Sequence, residues 1–177
     1  MHRSSNAARA ALVILAAAPM AVRAQQMPNP YGENIGVEAA KKAAEAALSE
    51  GKKNGWKLAA AVVDTHGTLV YFERMDDVQY GSIHVAQEKA KSAAEFRRAT
   101  KVFEDGVKGQ AVNLLGLPGA VPLEGGIPIV LNGKIVGALG VSGATSAQDG
   151  QCAKAGIEAL TGGAAKAEAT SPAPAKR

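Results

Sequence analysis

Apolar positions recur at helical spacing from Ile35 to about Lys52, with Ala40, Ala44, Ala47 and Leu48 on one face. Glu38 with Lys42 and Lys41 with Glu45 form four-apart charge pairs on the opposite, wet face. Asn34 is placed to cap the first turn with its side-chain oxygen, and Gly51 and Gly55 mark the end. The pattern then changes. Lys57–Asp64 is a short apolar run, Thr65-His66-Gly67 is a turn, and Thr68–Met75 is rich in β-formers, which together predict a hairpin. Ser82 is the expected cap of a second helix running to about Arg98, with Ala86, Ala90, Ala93, Ala94 and Arg97 on one stripe. Gly106–Gly126 is punctuated by glycine and proline and shows no period. Ile127–Leu131 and Lys134–Val141 flank Asn132-Gly133, a pair that tolerates the positive φ of a type I′ turn, so a second hairpin is expected. Pro128 has no N–H to give to a ladder, which puts its strand at an edge or at a strand start. Ser146–Leu160 fits a last helix.

Helix, hairpin, helix, hairpin, helix predicts an α+β domain in which two hairpins form one antiparallel sheet covered by helices. The chain has 177 residues, enough for one domain. Hydrophobic residues make up 47 % but aromatics only 4 %, so the core must be built from alanine and branched aliphatics. Residues 25–34, with Pro28, Pro30 and Gly32, are expected to be an extended leader; 35–160 form the domain; 161–177 are expected to be a disordered tail.

Charge changes the picture only when it is located. The formal net charge is +4, but Arg3, Arg9 and Arg23 supply three of the excess charges and the stretch from Thr161 supplies two more, which leaves Gln25–Leu160 at −1. A domain without basic surplus has no general attraction for phosphate backbones, which argues against nucleic acid as a partner. Residues 1–24 have the form of a secretory signal: Arg3 and Arg9, an apolar run Ala10–Ala18, then Val22-Arg23-Ala24 as a cleavage site. The apolar run falls short of the ~20 residues needed to cross a bilayer. The expectation is a periplasmic or secreted protein with no membrane span once mature. The single cysteine, Cys152, excludes an internal disulfide and any multi-cysteine metal site, and is expected to be buried and inert.

Several chemistries are excluded by pattern. Gly140-Val141-Ser142-Gly143 lacks the last glycine of a nucleophile elbow, since Ala144 follows. No phosphate-cradling G-x-x-x-x-G-K-[ST] and no H-E-x-x-H occur. Gly137, Gly140 and Gly143 do not fit a dinucleotide fingerprint and suggest a small face where a helix or ligand approaches the sheet. His84 lies off the alanine stripe, four residues before Glu88, where its imidazole can ligate iron or simply hydrogen-bond Glu88. His66 sits in the first hairpin turn as a solvated polar residue. Arg74 with Lys89 can hold ligand carboxylates, or Arg74 can bridge Asp76 or Asp64. Glu124-Gly125-Gly126 is a sharp turn whose amides can form an anion nest, or only a turn.

Ala61-Val-Val-Asp64, Gly67, Leu69, Arg74-Met-Asp76, Ser82-Ile83, Ala86, Lys89-Ala90 and Ala93 are followed by Glu124-Gly-Gly-Ile-Pro128, Gly133, Val136-Gly-Ala138, Gly140-Val-Ser-Gly143 and Gln148-Asp149. In this order and spacing they resemble the GlcG/HbpS-like haem-binding family, related to the C-terminal domain of PduO-type proteins. The likeness runs from about Ile35 to Leu160. It implies a profilin-like fold, an antiparallel sheet flanked by helices, and homo-oligomers with exposed haem sites. It further implies an axial iron ligand that varies among members: Thr100 matches a threonine ligand, and Arg97 and Arg98 beside it are placed for haem propionates. His84 and Asp77 depart from the usual pattern, Asp77 standing where relatives carry glycine, and a histidine is the better iron ligand.

The expected function is therefore an exported haem-binding protein that stores, senses or slowly degrades haem. The candidate site is His84, Thr100, Arg97, Arg98, Arg74, Lys89, Glu124, Gly125 and Gly126, with His84 or Thr100 on the haem iron. The alternative is an oligomeric module without catalytic activity that binds a small organic acid near Arg74 and Glu124-Gly125-Gly126. No catalytic motif is recognisable, and weak haem-degrading activity is left open.

Overall fold

The structure is a computed structural model and describes residues 28–162. The expected signal segment, the first residues of the leader and the tail beyond Gly162 lie outside the described residues. In chain order the elements are α1 (Val37–Lys53), β1 (Ala59–Val63), β2 (Leu69–Arg74), α2 (Gly81–Phe96), α3 (Lys101–Lys108), a 3-10 helix (Val112–Gly116), β3 (Gly126–Leu131), β4 (Lys134–Ser142) and α4 (Ser146–Thr161). The four strands form one antiparallel sheet in the order β2-β1-β4-β3. Both hairpins form as expected, and Asn132 (φ 51°) and Gly133 (φ 72°) take the left-handed conformations of the second turn. Pro128 lies on an edge strand, where no second ladder needs its missing donor.

The sheet has a helical layer on each face. Ala60, Val62, Leu139 and Val141 point to α1 and α4, whose Ala40, Ala43, Ala44, Ala47, Cys152 and Ala153 complete that core. Ala59, Ala61, Val63 and Ala138 point the other way, to Ala86, Ala90, Ala93 and Ala94 of α2. Alanine faces allow very close packing: a Cβ on Gly140 would lie 2.0 Å from the Ala86 carbonyl and 2.5 Å from the Ala90 amide. The three-residue glycine spacing does not make one small face, because strand side chains alternate. Gly140 faces α2, whereas a Cβ on Gly137 would meet Ile35 on the α1 side and one on Gly143 would meet the Lys57 carbonyl.

Helix ends differ from expectation for local reasons. Asn34 does not cap α1; Gly36 is the N-cap, and Asn34 Oδ1 accepts from the Thr65 amide (3.2 Å) and hydroxyl (2.6 Å), tying the leader to the first hairpin. Ser82 is buried inside the first turn of α2 and takes a hydrogen bond from Gln79 Nε2 at 3.0 Å. Gly51 remains helical because Leu58 fills the space beside it. Within the unassigned Gly106–Gly126 stretch, and just before it, the chain forms α3 and the 3-10 helix; Gly106 leaves room for Leu114, which folds the two together. The leader also terminates α2. Tyr31 donates its hydroxyl to the Ala94 (2.9 Å) and Glu95 (3.1 Å) carbonyls, and the Arg97 guanidinium lies 5.5 Å from its ring centre.

Gly140→Ala forces the helix off the sheet, and is expected to destabilise the fold by about 1–3 kcal/mol in urea unfolding. Gly81→Ala, whose added Cβ meets nothing within 4 Å, serves as the control and should leave the midpoint unchanged or slightly raised.

Candidate functional site

Five of the nine expected site residues come together, as a buried polar hub between α2, α4 and the start of β3. Lys89 emerges from the alanine face of α2 with 2 % exposure. Its Nζ lies 2.8 Å from Asp149 Oδ2 and donates to the Val141 carbonyl at 3.1 Å. Asp149 sits in the first turn of α4, which Thr145 and Gln148 close as a reciprocal capping box. Its other oxygen accepts from the Ala144 amide at 3.0 Å. Burial pushes the Asp149 carboxyl above its ordinary value, outweighing the pull of the Lys89 ammonium and the neighbouring amides.

The Glu124-Gly125-Gly126 turn lies directly on this pair. Gly125 adopts φ 128°, and a Cβ there would lie 2.9 Å from Lys89 Nζ and 3.0 Å from Asp149 Cβ. The turn's amides are not open for an anion. Glu124 N–H donates to Glu104 Oε2 at 2.5 Å and Gly126 N–H to Thr100 Oγ1 at 3.0 Å, so the chain's own carboxylate and hydroxyl occupy the nest. Burial would raise the Glu104 carboxyl, but the Lys108 ammonium and the Glu124 amide overcome it and hold it below the usual range. Glu124 in turn faces Lys154 at 3.7 Å and Lys101 at 4.0 Å.

Thr100 is fully buried, with its amide on the Gly126 carbonyl at 3.0 Å. A ligand approaching its hydroxyl must first displace the start of β3. Lys89 is likewise spent on Asp149 rather than presented to a ligand carboxylate. The remaining four residues lie elsewhere. Arg74 ends one edge strand while Gly126 opens the other, three strand spacings or about 14 Å apart, so they do not hold one small acid between them. Arg74 makes no ion pair with Asp76 or Asp64. Arg97 is half-buried against Tyr31, and Arg98, exposed, lies 5.9 Å from the Phe103 ring. His84 is exposed and makes no hydrogen bond to Glu88. It sits five residues before Lys89, about 140° around the helix, and about 20 Å along the axis from Arg97.

Asp149 and Glu104 were missed by sequence reasoning. The signal for Asp149 was Lys89 itself: a lysine three residues after Ala86 on a helix's buried stripe demands a counter-charge. Glu104 carried no such signal, because its role depends on where α3 folds. Cys152 is buried, and burial with the nearby Glu50 and Asp149 carboxylates pushes its thiol up to about 11, which makes it unreactive. Among the described residues no three His, Cys, Asp or Glu side chains are grouped to hold a metal ion, and no helix is long and apolar enough to cross a membrane. The cleft lined by Glu50, Gln151, Lys154, Ala155 and Glu158 opens between α1 and α4, away from α2's exposed face.

An antiparallel sheet between two helical layers, stapled by a buried lysine–aspartate pair beneath a Glu-Gly-Gly turn, defines a small α+β domain. Residues 35–158 match the family described as "Haem degrading protein HbpS-like", and the chain belongs to that family. It is 42 % identical over 97 residues to Protein GlcG of Escherichia coli, covering 55 % of this chain and 72 % of GlcG. It superposes on a double mutant of Streptomyces reticuli HbpS with a TM-score of 0.68 and 34 % identity, covering 82 % of this chain and 98 % of that one. A crystal structure of a PduOC:haem complex matches with a TM-score of 0.65 and 25 % identity, covering 71 % of this chain and 94 % of the other.

Lys89→Met leaves Asp149 buried without its cation and is expected to cost about 3–5 kcal/mol. That loss should grow with pH: the carboxyl is already raised by burial, the native state then holds the proton more tightly than the unfolded one, and stability falls as pH climbs through the raised value. Urea midpoints of this variant across pH 4–8 check it. Glu104→Gln carries the opposite sign. A depressed carboxyl stabilises above its ordinary range, so the gap between native protein and variant should close on acidification.

Proposed function

We propose that the chain is an exported haem-binding protein, a homo-oligomer in the periplasm or outside the cell that stores, senses or slowly degrades haem. The observation that carries this reading is an exposed imidazole, His84, on the outer face of α2 in a chain of the HbpS-like family. Support comes from the PduOC relative, whose solved structure is a haem complex, and from the secretory form of residues 1–24.

The donor chemistry of the chain fits haem at His84. Imidazole is a strong axial ligand for haem iron, and here it is solvent-accessible rather than consumed by the fold. Around it the first turn of α2 offers the Tyr80 ring and the half-buried Ile83, a surface suited to a large apolar macrocycle. Arg74, at the end of β2 and joined to α2 by the Met75–Tyr80 loop, is the cation of the expected set nearest in chain to this end and suits a propionate. Asp77 takes φ 61° in that loop, a left-handed conformation that glycine adopts most readily and that aspartate tolerates. Thr100 fits less well, because its hydroxyl holds the start of β3. Arg97 and Arg98 of the same chain stand too far from His84 along α2 to serve the propionates of a haem that it ligates. Bound haem supplies redox-active iron; the chain's part is to ligate it through His84 and neutralise its carboxylates. The small-acid reading loses support because its two anchors lie on opposite sheet edges and its nest is already filled.

Haemin titrated into the purified protein should give a saturable Soret band that is shifted or lost in His84→Ala. Thr100→Val should lower thermal stability while leaving the band of the folded protein in place. A native protein with no saturable band overturns the haem reading; a band lost only in Thr100→Val reassigns the ligand.

A further inference from the structure

Tyr80 is 81 % exposed, more than any other large hydrophobic side chain among the described residues. A tyrosine ring gains by burial, so an exposed one standing beside an exposed imidazole is available to a flat apolar ligand bound there. The backbone here is rigid. Val78 and Ser82, on either side, are 5 % and 1 % exposed. The Ser82 amide donates to the Gln79 carbonyl at 3.0 Å and the Ile83 amide to that of Tyr80 at 3.2 Å. Tyr80 has φ −59° and ψ −35°, already helical, so as the N-cap it continues the face of α2 one residue ahead of Gly81. Tyr80 and His84 therefore stand four residues apart on one face, with Cβ atoms about 5–6 Å from each other.

We propose that Tyr80 is a positioning residue of the His84 site, its ring packing on the porphyrin beside the imidazole. This rests on the haem reading above. Both side chains leave the same helix face, so both meet the macrocycle from one side. With the His84 imidazole the stronger iron donor on that face, the Tyr80 hydroxyl would not be needed on the metal. Tyr80 thus acts through ring area, not as an iron ligand. Because the ring buries nothing in the fold, its removal leaves the protein intact.

The test is haemin titration of the native protein, Tyr80→Phe, Tyr80→Ala and His84→Ala, with thermal unfolding of each unloaded protein. Tyr80→Phe should bind like the native protein. Tyr80→Ala should bind about tenfold more weakly, with the Soret maximum unmoved and the unfolding temperature unchanged. Native affinity in Tyr80→Ala overturns the inference, as does an equal loss in Tyr80→Phe, which would assign the effect to the hydroxyl. A moved Soret maximum in Tyr80→Ala also overturns it, by making Tyr80 a ligand. These outcomes are separate from failure of the haem reading itself, which shows as no saturable band in the native protein or a band indifferent to His84→Ala.

Discussion

A lysine ammonium and an aspartate carboxylate 2.8 Å apart, each almost wholly buried, hold the domain's layers in register. Lys89 brings α2, Asp149 brings α4, the Val141 carbonyl brings β4, and Gly125 closes the turn into β3 over them. Two charges removed from water are costly unless every remaining polar valence is met. Here the Ala144 amide takes the second carboxylate oxygen, and among the described residues no buried side-chain nitrogen or oxygen lacks a partner. The pair is better understood as a constraint on register than as a source of net stability, since either charge left unpartnered in the interior is costly.

The hub also engages, within the fold, the polar atoms of the apparent binding features near it. A Glu-Gly-Gly turn, a threonine and a lysine would make a credible anion pocket if their polar atoms pointed outward. They point at one another and at Glu104 and Asp149. The outer face of α2 displays His84 on a helix whose inner face is pinned by alanines and by Lys89. On the haem reading proposed above, a helix packed this closely on its inner face would fix the direction in which the His84 imidazole meets the iron.

How near the helices come to the sheet follows from residue size. With few aromatics, the core relies on alanine faces, and close approach replaces bulk. Gly140 beneath α2 and Gly156 against Leu139 and the Ala43 carbonyl mark where backbones nearly touch. Such interfaces tolerate no added methyl group, so the glycine and alanine positions constrain the fold as strongly as large side chains do elsewhere.

Local patterning in the chain determined both hairpins, the edge position of Pro128, the alanine faces of α1 and α2 and the last helix, because period, turn chemistry and the missing proline donor act over a few residues. The membership of His84 in the wet face of α2 was legible for the same reason. Only the tertiary structure decided that Lys89 and Asp149 meet across 60 positions, that Thr100 and Glu104 fill the Gly-rich turn, and that Arg74 lies across the sheet from Glu124. It also moved Asn34 from a helix cap to the Thr65 turn. A polar side chain far from its partner in sequence can satisfy several equally good local roles, and only the packed layers select one.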